Sequence, residues 1–212
     1  DRPASTDISV DLATSGTATA GDDFSVSTTT ITIPTGDLTA SATLTGMSDG
    51  VFEGEETIVV DVSVSSGNAQ EATEQQATVT ITDDETAPRV NLSQSGGPIA
   101  EDGGVATITA TATGTSADDI VIDLLFSGTA EADDYNASAV QIVIPAGSLT
   151  GSVTLSGVDD NTYEGDEAAT VSIGTVTGGI AGATGSTDVV ITDDELEPVS
   201  YTHLTLPTSD LV

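Results

Sequence analysis

Apolar residues recur at every second position in short runs along most of the chain. Ile58, Val60, Val62 and Val64 fall on one face of a run whose other face carries Val59, Asp61 and Ser63. Ala77, Val79 and Ile81 alternate with Thr78, Thr80 and Thr82, and the spacing returns at Ile120, Ile122 and Leu124 and at Val153 and Leu155. A period of two sends successive side chains to opposite sheet faces and predicts β-strands with one buried side. Turn residues punctuate the runs, as at Pro34-Thr35-Gly36-Asp37, Gly96-Gly97-Pro98, Pro145-Ala146-Gly147 and Gly178-Gly179. No stretch carries a helical period. The expected class is all-β, with about seven short strands per unit closing into a sandwich.

The unit occurs twice. Asp7-Ile8-Ser9-Val10-Asp11-Leu12 matches Asp119-Ile120-Val121-Ile122-Asp123-Leu124. Asp22-Asp23-Phe24 matches Asp133-Asp134-Tyr135, and Ile31-Thr32-Ile33-Pro34 matches Ile142-Val143-Ile144-Pro145. The offset drifts only from 112 to 110 along the chain, so the copies differ by small loop changes. Residues 1–86 form the first repeat and residues 87–197 the second, joined at Thr86-Ala87-Pro88, where the proline favours extended backbone. Ahead of Asp119 the second copy carries the 31 residues 88–118, whereas six residues precede Asp7. Counterparts of Val90-Asn91-Leu92-Ser93 and of the run from Val105 to Ala110 are absent from copy one. It is therefore read as N-terminally truncated, with unpaired edges and a thin core. Residues 198–212 match neither copy and hold His203, the only histidine. They read as a non-homologous, artefactual tail and are set apart from the fold.

Charge changes this picture. The 212 residues include 35 acidic side chains against two Lys or Arg, a formal net charge of −33. Nucleic acid and anionic membrane are excluded as partners, since either requires a basic patch. Such self-repulsion weakens the compact state unless cations offset it. There is no cysteine, which removes disulfides and thiolate metal sites, and no apolar run long enough to span a bilayer. The sequence starts at Asp1 without a leader and reads as a piece of something longer.

The acids are gathered. Each repeat has a glycine-turn cluster, Asp49-Gly50-Val51-Phe52-Glu53-Gly54-Glu55-Glu56 and Asp160-Asn161-Thr162-Tyr163-Glu164-Gly165-Asp166-Glu167. Each ends in a second cluster, Ile81-Thr82-Asp83-Asp84-Glu85 and Ile191-Thr192-Asp193-Asp194-Glu195. Two unit charges about 4 Å apart cost roughly 4 kcal/mol at an effective dielectric of 20, so such groups either stand apart in water or hold a cation. Carboxylates without Cys or His suit Ca²⁺ better than zinc or copper. The spacing is not that of an EF-hand.

With Ala100-Glu101-Asp102-Gly103-Gly104 and Ala132-Asp133-Asp134-Tyr135, these clusters resemble the Calx-β domain over nearly all of residues 7–197. That module is found in sodium–calcium exchangers, integrin β4 and large bacterial surface proteins. The resemblance implies two tandem immunoglobulin-like sandwiches, with a Ca²⁺ cluster in the loops at one end of each. In copy two the implied ligands are Glu101, Asp133 or Asp134, Asp159, Asp160, Glu164, Glu167, Asp193, Asp194 and Glu195, with Thr162 offering a backbone carbonyl. In copy one they are Asp22 or Asp23, Asp49, Glu53, Glu56, Asp83, Asp84 and Glu85, with Val51 as the carbonyl. Ser48 stands where Asp159 has its acid, and a Glu101 counterpart is missing, so copy one is expected to bind fewer or weaker ions.

Asp102, Glu55 and Asp166 are expected to face water, and Asp11 and Asp123 to point outward from strands. The pairs Phe24/Tyr135 and Phe52/Tyr163 are expected to plug the loop end of each core. Thr on exposed strand faces reflects β-propensity rather than ice or carbohydrate binding. Catalysis is not expected, because no Ser-His-Asp set forms and six aromatics cannot line a glycosidase cleft around a carboxylate pair. The expected role is a Ca²⁺-binding structural repeat of a secreted or cell-surface bacterial protein, in which ions stiffen loops and interdomain joints for adhesion or spacing. Its expected partners are calcium, neighbouring repeats, and surface proteins or glycans. A regulatory Ca²⁺ sensor of a membrane transporter and a metal-independent adhesive module are the alternatives.

Overall fold

The computed structural model describes residues 3–199 apart from positions 72, 74 and 161. The tail from residue 200 onward, with His203, lies outside the described residues. Among the described residues there are sixteen strands and no helix. The first repeat comprises β1 (Ile8–Gly16), β2 (Phe24–Val26), β3 (Thr30–Ile33), β4 (Leu44–Gly46), β5 (Glu56–Ser66) and β6 (Gln75–Ile81). The second comprises β7 (Arg89–Ser95), β8 (Ile99–Ala100), β9 (Val105–Ala112), β10 (Ile120–Gly128), β11 (Tyr135–Ala137), β12 (Gln141–Ile144), β13 (Thr150–Gly157), β14 (Glu167–Thr177), β15 (Ile180–Ala181) and β16 (Ser186–Thr192). Seven of these ten have four residues or more, and three short segments exceed the sequence expectation. Two of the three, β8 and β15, add parallel pairs at sheet margins, where a chain turning back needs only two residues to bond.

The second repeat is a closed sandwich. One sheet runs β12-β10-β14-β16-β8 and the other β11-β13-β9-β7-β15. The alternation seen in sequence sets the core: Ile120, Ile122 and Leu124 face Ala106, Ile108 and Ala110 across the sheets, all 6 % exposed or less. The β-branched Ile142, Ile144, Val171 and Val189 complete the layer together with Leu155. Their branching suits a pleated surface.

The first repeat repeats only part of this plan. Its main sheet runs β3-β1-β5-β6, the order of β12-β10-β14-β16, but only the β2-β4 ribbon faces it. Among the described residues no strand pairs with β4 on the side where β9 pairs with β13. Among its described residues Phe24 and Ile58 are the only buried large hydrophobics. The alternation of β6 is intact, yet the strand is exposed almost throughout, because no second layer covers it.

Matched positions therefore carry different weights. Val189 is fully buried, whereas Val79 at the same place in copy one is 41 % exposed. Val189→Ala is expected to cost about 2 kcal/mol from lost burial and a residual cavity. Val79→Ala is expected to stay within about 0.5 kcal/mol. Urea denaturation of both variants, followed by amide protection in each repeat, checks the contrast.

Candidate metal centres

The glycine-turn cluster and the strand-end cluster of each repeat meet because one aspartate ties them. In copy two, Asp193 follows β16 and its Oδ2 accepts the backbone N–H groups of Glu164 and Gly165 at 2.6 and 2.5 Å. Its Oδ1 accepts the N–H of Glu195 at 2.8 Å. Asp83 repeats this with Glu53 and Gly54 at 2.8 and 2.6 Å and Glu85 at 2.9 Å. Gly54 and Gly165 sit at φ +80° and +79°, a left-handed turn that costs glycine nothing and aims the amides at the aspartate. Three amide donors favour the ionised form. At Asp193 the Gly165 amide leads in holding the carboxyl below its usual range. At Asp83 burial pushes upward, but the amides of Gly54, Glu85 and Glu53 outweigh it.

Around these ties, four groups of carboxylates converge, each with oxygens within 4.8 Å of one another. Copy one gathers Asp23 with Glu53 and Glu56, and Asp83 with Asp84 and Glu85. Copy two gathers Asp134 with Glu164 and Glu167, and Glu101 with Asp159 and Glu195. In copy one both groups line a single cleft together with Ser48, Asp49 and Val51. In copy two Glu101, Asp134, Glu164, Glu167 and Asp193 line a smaller one.

The paired alternatives are separated by geometry. Asp23 is buried and Asp134 half-buried, whereas Asp22 and Asp133 are exposed and stand outside the four groups. Asp23 and Asp134 are also fixed by turns, accepting the N–H of Thr19 and Glu131 at 2.5 Å each. Asp49 and Asp160 form turns of their own, accepting the N–H of Val51 at 2.9 Å and of Thr162 at 2.7 Å. Asp160 also donates its backbone N–H to the Glu101 carboxyl. Asp194 is exposed beside Glu195, outside the groups, whereas its counterpart Asp84 lies inside one. Asp102, Glu55 and Asp166 face water. Asp11 and Asp123 bond across strands, accepting from Thr30 at 2.9 Å and from Gln141 at 2.6 Å.

Proximity without countercharge shows in the protonation equilibria. Loss of water pushes Glu53 up to about 7, with the charges of Asp23, Asp49 and Glu56 adding to it. Glu167 rises to about 7 through burial and then Asp134, Glu164 and Glu131. Glu195 rises to about 7 through burial, its contact with Asp193, and the charges of Asp194, Glu101 and Asp159. Glu56, Glu85, Glu101 and Glu164 shift the same way, burial leading in each.

A calcium ion fits this donor set. Oxygens bound to one Ca²⁺ at about 2.5 Å lie at most roughly 5 Å apart, and the groups meet that limit. Glu195 Oε2 is buried without a hydrogen-bond partner, the kind of oxygen a cation satisfies. With Glu101, Asp159, Glu195, Asp134, Glu164 and Glu167, copy two offers six carboxylates in two groups. Copy one offers Asp23, Glu53, Glu56, Asp83, Asp84 and Glu85, without a counterpart of Glu101.

Two features escaped the sequence reading. The first is Phe52. It was expected to plug a core, as Phe24 does, but its backbone bridges to the second repeat: its N–H donates to Thr115 O at 3.1 Å and its carbonyl accepts the Ala117 N–H at 3.0 Å. Its counterpart Tyr163 is 42 % exposed and plugs no core, whereas Phe52 is half-buried. Tyr135 behaves as expected, packing on Phe126 with ring centres 6.0 Å apart. The second is the role of Asp83 and Asp193 as ties. An Asp followed two residues later by a donor is a turn signature, but the distant amides they also accept have no local signal.

A sequence model of the Calx-beta domain matches residues 2–85 and again residues 83–195. No curated protein sequence matches the chain. Among solved structures, CBD12 from CALX1.2 aligns at 18 % identity and TM-score 0.41, over 90 % of this chain and 89 % of that one. The calcium binding domain CBD12 of CALX1.1 aligns at 21 % identity and TM-score 0.32, over 84 % and 71 %. An endo-fucoidan hydrolase of glycoside hydrolase family 107 aligns at 15 % identity and TM-score 0.26, over 85 % of this chain but 23 % of its own.

Two outcomes follow from the electrostatics. Glu53, Glu167 and Glu195 bind protons more tightly folded, near 7, than at the ordinary value of 4.5. The folded state thus holds more protons across that window, and stability falls as pH rises through it. Asp83 and Asp193 act oppositely, their contribution being lost only as pH falls below the ordinary carboxylate range. In EDTA the melting temperature is expected to peak near pH 5 and to drop by pH 7.5, read by circular dichroism at constant ionic strength. Asp193→Asn turns one accepting oxygen into a donor facing amides and is expected to cost about 1–3 kcal/mol in EDTA, measured by urea denaturation.

Proposed function

The chain belongs to the Calx-β domain family, and from that membership we propose that it is a calcium-binding tandem module whose ions stiffen the joint between repeats. The observation that carries this reading is the position of Phe52. Val51 and Glu53 flank it, and Asp49 and Glu56 lie on the same turn. That turn is bonded through Phe52 to Thr115 and Ala117 of the second repeat. Thr86, Glu85, Gly50 and Phe52 line one crevice with Thr113, Gly114 and Thr115 at the joint. A cation neutralising Asp23, Glu53, Glu56, Asp83, Asp84 and Glu85 would fix the turn and the strand end that leads into the linker. Without it, repulsion among these groups loosens the turn that holds the second repeat in place.

In this reading the chain's own residues do three things. Asp83 and Asp193 set the two acidic segments of each repeat side by side. Asp23 and Asp134 bring a third loop to them. Glu101, from the turn after β8, adds a carboxylate in copy two alone, which makes the second centre the stronger. The ion supplies the missing countercharge. The module is a binding and spacing element rather than a catalyst. We assign it to a secreted or cell-surface setting, where millimolar calcium matches carboxylate loops of this kind and the −33 charge is offset by bound cations. Neighbouring repeats and surface proteins or glycans are the partners that such a spacer presents or contacts.

Calorimetric titration with Ca²⁺ is expected to show binding at millimolar concentration or below, and free calcium at 100 times the Kd stabilises by about 2.7 kcal/mol. Absence of binding at millimolar Ca²⁺ would sink the reading. Glu167→Gln is expected to weaken the second centre while raising the melting temperature in EDTA at pH 7.5, because it removes a repelling charge. Spin labels placed in the two repeats are expected to show a narrower distance distribution with Ca²⁺ than with EDTA. Glu53→Gln should broaden it again at subsaturating calcium.

A further inference from the structure

Asp-Gly pairs are the points at which a polypeptide backbone rearranges most readily, because glycine leaves its own amide nitrogen unhindered by a side chain. The chain has two, Asp49-Gly50 and Asp102-Gly103. In most respects they match. Both pairs are exposed. Gly50 and Gly103 take φ of +84° and +71°, and open space lies where a Cβ would stand on either. Copy two has Asn161 where copy one has Gly50, and a side chain at that place hinders ring closure after Asp160.

The amides differ. The Gly103 N–H donates to the Glu101 carbonyl at 2.6 Å, and the next amide, that of Gly104, donates to the Ala100 carbonyl at 2.9 Å. Among the described residues nothing accepts the Gly50 N–H. The carboxyls differ as well. Asp49 is folded over the Gly50 peptide, its Oδ1 accepting the N–H of Val51 at 2.9 Å. No hydrogen bond holds the Asp102 carboxyl among the described residues. At residue 49 the electrophile and an untethered amide are thus kept side by side, which is the condition for a fast intramolecular reaction.

We propose that Asp49-Gly50 is a site of spontaneous isoaspartate formation, and that this modification loosens the joint between the repeats as the protein ages. The Gly50 nitrogen attacks Cγ of the Asp49 carboxylic acid. A C–N bond forms, the acid's hydroxyl leaves with the amide proton as water, and a five-membered succinimide results. Water then adds to the main-chain carbonyl of Asp49 and breaks its bond to the Gly50 nitrogen. The chain is left joined through Cβ and Cγ, with a free α-carboxylate. One water leaves and one returns, so the mass is unchanged and no oxidant is needed. The backbone of the turn gains one carbon, and Asp49 Oδ1 no longer accepts from Val51. Phe52 follows directly, and the longer turn carries its N–H and carbonyl away from Thr115 and Ala117.

The test ages the full chain in EDTA at neutral pH, so that its result stands whether or not calcium binds. Electron-transfer fragmentation separates the two isomers of equal mass. It is expected to show isoaspartate accumulating roughly fivefold faster at residue 49 than at residue 102, the factor carried by one amide hydrogen bond. Synthetic peptides of residues 46–53 and 99–106 are expected to rearrange at equal rates, because without the fold both amides are free. In chains isomerised at residue 49, the Ala117 amide, which donates to the Phe52 carbonyl, is expected to exchange roughly tenfold faster. Asp49→Glu would require a six-membered ring. It is expected to show no isomerisation there and to keep the Ala117 protection of its own fresh sample. Equal or slower accumulation at residue 49 in the folded chain would overturn the proposal, as would peptides that already differ as the folded sites do. So would unchanged Ala117 exchange in the isomerised chains, or the same loss of protection on ageing of the Asp49→Glu variant.

Discussion

Each repeat turns on one carboxylate. Asp83 and Asp193 each accept three backbone N–H groups, two from a glycine turn and one from the residue two positions on. That arrangement binds the end of the last strand to the loop before β5 or β14. It also gives an aspartate enough donors to stay charged among other acids. Without it the strand-end acids and the turn acids would move apart under their own repulsion. With it they are held as a cage that lacks a positive charge. Burial, with the neighbouring acids adding to it, pushes Glu53, Glu167 and Glu195 up to about 7. Protons take up part of the role that a cation would fill.

The two repeats apply one plan under different conditions. In the second, two full sheets enclose Ile108, Ile122, Ile142 and Val171, and the loops stand on a closed core. In the first, the same alternation is present but half of the opposing layer is absent among the described residues. The loop cluster is nonetheless preserved, because its ties run between β5, β6 and the turn ahead of β5. None of those lies in the missing layer. What copy one lacks is the carboxylate that Glu101 brings from the turn between β8 and β9. Its centre keeps the same ties and gathers six carboxylates of its own, with Asp83 and Asp84 where copy two has Glu101 and Asp159.

The first centre lies beside the joint between the repeats. Phe52 lies in the turn ahead of β5, and its N–H and carbonyl are both bonded to the loop between β9 and β10. Its equivalent Tyr163 reaches solvent instead. One residue position thus acts as a contact in the first repeat and as a free tip in the second. The surroundings decide which, since the second repeat lies beyond Phe52 and no described residue beyond Tyr163 takes that place.

The sequence alone determined the strand class, the tandem repeat, and the four acidic segments, because period-two alternation and paired motifs are local properties that survive in any one chain. It also named every residue of the four carboxylate groups, along with Asp49, Asp160, Asp193 and Asp194, which stand outside them, and it left Asp22 or Asp23 and Asp133 or Asp134 open. Only the tertiary structure chose Asp23 and Asp134, since adjacent acids in a turn point to opposite sides and the choice depends on which side faces Glu56 or Glu167. Only it revealed the ties of Asp83 and Asp193 to amides 28 to 30 residues away, and the bond from Phe52 to the next repeat. It also decided that Val79 is exposed where Val189 is buried. Alternation says which face of a strand is apolar, but burial requires a second layer, and that layer comes from strands distant in the chain.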